Sequence, residues 1–135
     1  MPCLVGWPRE FEGGSRVDRI AAYVDLMPTI LDAASIDPPE GVQLDGVSLV
    51  PLLRNPTAEW TDRTLVIQWH QGLKPERHRA FAVRNQRYKL VQAEGHEAGP
   101  FDPERRKYQL FDLAADPCEK EDLSSTLTDI VTEMT

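Results

Sequence analysis

The sequence predicts a mixed α/β chain, α+β when taken as a fragment. It reads as one strand and a helix, an apolar connector, then four antiparallel strands and a closing helix. Three observations carry this expectation. A continuous apolar run, Cys3-Leu4-Val5-Gly6-Trp7, ends at Pro8, as a strand buried on both faces does. Leu26, Ile30, Leu31 and Ala34 recur at helical spacing behind Asp25. From Thr64 onward, β-branched and aromatic residues come in short runs separated by turn residues.

Taken in order, residues 3–7 give the first strand, and Arg9 to Arg19, with Gly13-Gly14-Ser15 and mixed charges, give a loop. Asp25 is a suitable N-cap for the helix that follows. Pro28 then falls at the third helical position, where its missing N–H is not needed, and Pro38-Pro39 prevents much continuation. Residues 40–60 are irregular yet too apolar for a free linker, with a tight turn at Asp45-Gly46 and a short helical turn from Ser48 to Arg54. A boundary is expected near Pro56, dividing the chain into 1–56 and 57–135. Strands are expected at 64–69, 80–84, 87–91 and 108–113, with Asn85-Gln86 as the hairpin gap, and a helix over 121–134. The first strand stands apart. The later strands are grouped by hairpins, so it has nothing here to pair with and makes sense as one strand of a larger sheet whose remainder is not in these residues.

Composition excludes several function classes. Hydrophobic residues are 41% and charged residues 27% of 135, the balance of a globular chain. A formal charge of −7 argues against a nucleic-acid binder, and the basic stretch from Arg77 to Lys89 is interrupted by apolar residues. No apolar run approaches the ~20 residues of a membrane-spanning helix. The start has no basic n-region and no cleavage-type apolar region, so no export signal is expected in these residues, and compartment stays open. Cys3 and Cys118 make neither a disulfide framework nor a metal-ligand spacing, and are expected to be buried or idle thiols, although a bridge between them stays open.

Four stretches together resemble the sulfatase family. Pro2-Cys-Leu-Val-Gly-Trp-Pro8 is similar to its final core strand and Asp25-Leu-Met-Pro-Thr-Ile-Leu31 to its Asp-x-x-Pro-Thr helix start. Leu44-Asp-Gly-Val-Ser-Leu-Val-Pro-Leu-Leu53 resembles its Asp-Gly-x-Ser-Leu-x-Pro-Leu-Leu connector. Arg87-Tyr-Lys-Leu-Val91 and Leu110-Phe-Asp-Leu-Ala-Ala-Asp-Pro-Cys-Glu119 resemble its closing strands. The resemblance implies the end of an alkaline-phosphatase-like α/β domain followed by a small four-stranded antiparallel sheet with a helix. Arg9 and Ser35 depart from the family, which commonly has glycine at both places.

The resemblance also implies a chemistry that these residues do not contain. In the family, a formylglycine made from Cys or Ser in a Cys/Ser-x-Pro/Ala-x-Arg motif attacks sulfur, while calcium polarises the sulfate. Neither Cys3, followed by Leu4-Val5, nor Cys118, followed by Glu119-Lys120, fits that motif. The calcium carboxylates of the family lie upstream of its final core strand. Formylglycine and calcium are therefore expected of an intact parent enzyme. This chain is expected to be its inactive C-terminal fragment and, isolated, to self-associate through residues left uncovered.

Candidate site residues are few. Gln68 and His70, at the end of a strand, carry groups able to donate to a sulfate or a sugar hydroxyl, and the resemblance places this domain beside the active-site mouth. Against that, a lone histidine is more often a satisfied surface residue, and Trp69 is expected to pack. Arg77 and Arg79 are weaker candidates for the same role; His78 and His96 have no metal or triad partners in the sequence. Asp112, Asp116, Glu119, Glu121 and Asp122 cluster as hard-cation ligands do, but lack the spacing of a calcium loop. They suit a turn and the start of a helix better. Lys89 is expected at a sheet edge or facing solvent. The function expected is sulfate-ester hydrolysis by the intact parent. A non-catalytic interaction module, or a phosphodiester or phosphonate hydrolase of the same superfamily, are the alternatives.

Overall fold

The computed structural model describes residues 3–69, 74–95, 102 and 106–135. The chain forms two compact units, Met1–Thr61 and Asp62–Thr135.

The first unit buries Ile20, Val50 and Leu52 and is tied together by side-chain hydrogen bonds to its backbone. A 3-10 turn, Tyr23–Asp25, leads into helix α1, Leu26–Ala33, with Pro28 third in the helix as expected; helix α2 is Val50–Arg54. The Asp25 carboxylate does not cap α1. It is completely buried and accepts the N–H of Ala22 at 2.7 Å and of Val47 at 3.0 Å. Thr29 Oγ1 donates to the Asp25 carbonyl at 2.5 Å and accepts the Leu49 N–H at 2.9 Å. Ser48 Oγ donates to the Asp32 carboxylate and accepts the N–H of Val50, which opens α2. Thus the connector over 45–50 is pinned along α1 by three side chains spaced about one turn apart. Gly46 sits at the pinch: a Cβ there would lie 2.1 Å from the Val24 carbonyl oxygen.

Helix α1 ends in a Schellman pair, with Ser35 N–H on the Asp32 carbonyl and Ile36 N–H on the Leu31 carbonyl. That motif demands a left-handed residue, and Ser35 supplies it at φ 55°, where glycine would be unstrained. The helix leaves Leu26, Met27 and Ile30 exposed, and Tyr23 extends the stripe by one turn.

Residues 3–7 do not form a strand. Leu4 is 97% exposed, and no described segment supplies a ladder for its backbone. An apolar run becomes a buried strand only where neighbours pair with it and cover it. Cys3 and Cys118 are free thiols and both exposed, not buried.

The second unit is one antiparallel sheet in the order β1-β2-β3-β4: Leu65–Gln68, Phe81–Arg84, Tyr88–Gln92 and Gln109–Asp112. Val83 pairs with Leu90 and Leu90 with Leu110, so the three buried residues form one row across the sheet. Helix α3, Thr128–Glu133, packs Ile130 and Val131 onto that row, with Leu123, Leu127 and Met134 beside them. The hairpin turn between β2 and β3 lies one residue later than the sequence suggests, with Gln86 and Arg87 at its centre. The reason is Asn85, whose N–H donates to the Tyr88 carbonyl and whose side-chain oxygen accepts the N–H groups of Arg87 and Tyr88.

The closing helix is shorter than expected. Asp122 accepts the N–H of Leu110 and of Ser124, and Leu123 N–H donates to the Leu110 carbonyl, so residues 122–124 are tied to β4 instead of coiling. Lys89 is neither at an edge nor free in solvent. It lies on the third of four strands and donates to both carboxylate oxygens of Glu119 at 2.7 Å.

Candidate functional site

The end of β1 and the chain returning into β2 form a buttressed arch. Gln68, the last residue of β1, donates from Nε2 to the carbonyls of Glu76 at 2.6 Å and Arg79 at 3.1 Å. Arg79 is buried and donates from Nε to the Gly95 carbonyl and from Nη1 to Glu76 Oε1, each at 2.6 Å. Gln92, also fully buried, accepts the Ala80 N–H at its Oε1 at 2.9 Å. Of the candidates in the sequence, Gln68 therefore acts first as a support, with its carbonyl oxygen left as an acceptor. Arg79 faces inward and Arg77 outward. His70 and His96 lie outside the described residues.

Beside the arch runs a groove of about 380 Å³, lined by Gln68, Arg77, His78, Phe81 and Met134 among others. Sequence reasoning gave no role to Gln92 or to the support function of Arg79. Only the mismatch between a polar residue and a strand position facing the core, two places after Leu90, could have pointed to Gln92.

The acidic segment is structural. Asp112 Oδ2 accepts Nε and Nη2 of Arg87 at 2.9 and 2.8 Å, while Oδ1 accepts the N–H of Ala114 and Ala115. The Arg87 bond is the largest effect and, with the N–H groups of Ala115 and Ala114, holds its carboxyl below the ordinary range against burial, the next largest effect, which pushes it up. Asp116 is lowered by N–H groups led by that of Glu121. For Asp122 burial pushes upward, but the N–H groups of Ser124 and Leu110 outweigh it. Glu119 is turned to Lys89 at φ 55°, in a loop and not in the first turn of a helix.

These carboxylates do not fit calcium. Asp112, Asp116, Glu119 and Asp122 are directed at N–H groups or a cation, and among the described residues no group of three His, Cys, Asp or Glu could hold a metal. Nor does any serine supply the nucleophile motif. Ser15 comes nearest, with Arg19 in place but Val17 where proline or alanine is required, and its hydroxyl donates to the Glu12 carbonyl.

The family model for the N-sulphoglucosamine sulphohydrolase C-terminal domain matches residues 1–135. The chain belongs to this sulfatase family. Among its relatives is the N-acetylglucosamine-6-O-sulfatase of Bacteroides thetaiotaomicron, 30% identical over 88% of this chain and 20% of that protein. Another is the ulvan-active sulfatase of Formosa agariphila, 25% identical over 93% of this chain and 29% of that one. A solved structure of a protein bound to its substrate, D-glucosamine-2-N,6-O-disulfate, superposes with a TM-score of 0.67 at 23% identity. It covers 95% of this chain and 25% of that structure. The sulfatase chain thus spans between a fifth and a third of these relatives' lengths, and its fold is that of the C-terminal portion of alkaline-phosphatase-like sulfatases.

With the family established, the hydrogen bonds of the first unit acquire a meaning. The two quoted stretches, Asp25 to Leu31 and Leu44 to Leu53, are the halves of one lock. Asp25, Thr29 and Ser48 spend their polar atoms on joining those halves. Among the described residues of this sulfatase segment, no helix is long and apolar enough to cross a membrane.

Proposed function

We propose that the chain is the C-terminal portion of a sulfate-ester hydrolase and that it helps shape the substrate side of that enzyme without performing the chemistry. The observation that carries this reading is the family match over 1–135 in a sequence without the formylglycine motif. In this reading, calcium and formylglycine belong to parts of the intact enzyme outside these residues, and the substrate is a sulfated sugar or aryl sulfate. The sugar-sulfate relatives favour the former.

Gln68 and His70 are the proposed substrate-facing pair. Gln68 holds the arch and offers its remaining oxygen to a hydroxyl, and His70, two residues on, supplies a donor. Expression of the longest reading frame that contains these residues tests the reading. Hydrolysis of an aryl sulfate is expected, abolished by alanine at the Cys or Ser of a Cys/Ser-x-Pro/Ala-x-Arg motif. His70→Ala in that enzyme should lower kcat/KM about ten- to a hundredfold at unchanged Tm, the effect of losing one hydrogen bond to a charged group. Hydrolysis of phosphodiesters alone, or a reading frame without the motif, would contradict it.

The isolated chain is further proposed to self-associate. The support is the apolar stripe of α1, Leu26, Met27 and Ile30, together with Leu4 and Val5, all exposed. Sedimentation velocity should show mass rising with concentration. A monomer at every concentration tested would remove this proposal.

A further inference from the structure

The two edges of the sheet are finished differently. β1 and β4 are its outer strands, and each carries main-chain groups on the side away from its neighbour. Leu113 N–H donates to the Arg87 carbonyl, which puts Gln109 and Phe111 on the side of β3 and turns Leu110 and Asp112 outward. The chain itself covers both. Leu110 N–H donates to Asp122 Oδ1 at 3.1 Å, and the Leu110 carbonyl accepts Leu123 N–H at 2.8 Å. The Asp112 carbonyl accepts the N–H groups of Ala115 and Asp116.

The opposite edge has no such cover. Trp69 N–H donates to the Ala80 carbonyl at 2.9 Å, which places Leu65 and Ile67 on the side of β2. The N–H and C=O groups of Thr64, Val66 and Gln68 therefore point away from the sheet, and no hydrogen bond from the described residues reaches them. Nor does the strand carry the usual guards of an exposed edge. Thr64 to Trp69 contains no charged residue and no proline. Its side chains are open on both faces, Val66 on one and Ile67 and Trp69 on the other.

We propose that this edge pairs antiparallel with the same edge of a second copy of the chain, joining two four-stranded sheets into one. A two-fold axis at Val66 sets it against Val66 of the second copy, with Thr64 against Gln68 on either side, so the outward groups from 64 to 68 all gain partners. In that register Leu65 faces Ile67 and Arg63 faces Trp69 across the seam. Apolar residues meet, and no like charges are opposed. This self-complementarity is what selects a second copy as the occupant. Two chains of net charge −7 repel one another, and a strip without carboxylates is where they approach with least repulsion. The contact does not depend on the sulfatase reading, and it is separate from the apolar stripe of α1, which belongs to the first unit.

Amide hydrogen exchange and sedimentation velocity of the 135-residue chain over a concentration series test it. The amides of Val66 and Gln68 should exchange fast in dilute solution, and at least about tenfold slower where dimer predominates. Val66→Pro removes an outward N–H without touching the β1–β2 ladder. It should weaken the dimer roughly thirtyfold, since one bond is lost on each side of the axis. Val66→Lys, which sets two like charges at the axis, should also weaken it without proline's constraint on the backbone. Ile30→Ser, on α1, should leave the concentration dependence at Val66 and Gln68 intact. Exchange at those amides that never slows with concentration, or that is slow at every dilution, would overturn the pairing. So would unaltered dimerisation in both Val66 variants, or loss of the effect in Ile30→Ser.

Discussion

Gly46→Ala should destabilise the first unit by roughly 3 kcal/mol, at the upper end of ordinary overpacking. The added Cβ would stand 2.1 Å from the oxygen and 2.4 Å from the carbon of the Val24 carbonyl, and 2.8 Å from the Asp25 nitrogen. All three are backbone atoms, so no side-chain rotation relieves the clash. Separating them pulls the connector away from α1, which lengthens the bonds from Val47 to Asp25 and from Leu49 to Thr29. The Asp25 carboxylate, completely buried, would then lose a donor. Native-state hydrogen exchange should therefore quicken at Val47, Leu49 and along α1. Unchanged exchange there would show that the connector is not locked by its close approach.

A comparable loss, about 4 kcal/mol, is expected for Leu90→Ala in the second unit. Leu90 is 0% exposed at the centre of the row it forms with Val83 and Leu110, and the residues around α3 cover that row. A sheet strand on each side and a helix above leave little room for collapse, so the cavity remains. Since a small domain has only about 5–15 kcal/mol of stability, the urea midpoint should drop sharply. Val66→Ala, on the edge strand and 69% exposed, should move it hardly at all. Similar effects at the two positions would mean that the row is not the core.

Which parts of this were legible in the sequence follows from the range of the interactions. The four strands and their hairpin order could be read because alternation and turn residues act locally, and Asn85 misplaced the turn by only one residue. Helix α1 was legible from spacing and Pro28. Asp25 was recognised as special for the wrong reason, because its decisive partner, Val47, lies 22 residues away. The same holds for Lys89, whose partner Glu119 is 30 residues distant. The run at 3–7 failed as a strand because apolarity states a need for cover, not its supply. The candidate site was the least legible part. Gln68 could be singled out from its place at a strand end, but the arch it supports is built from left-handed backbone at His78 and Ala80 that no residue type announces.

The proposed role of this chain is that of a sulfatase's non-catalytic end: it matches the family's C-terminal model, contains no Cys/Ser-x-Pro/Ala-x-Arg motif and, among the described residues, gathers no group of three metal ligands. Its most direct test is turnover of an aryl sulfate by the purified 135-residue chain, with and without calcium. No hydrolysis above a boiled control is predicted under either condition. Hydrolysis that exceeds that control and disappears on mutation of a residue in this chain would contradict the account.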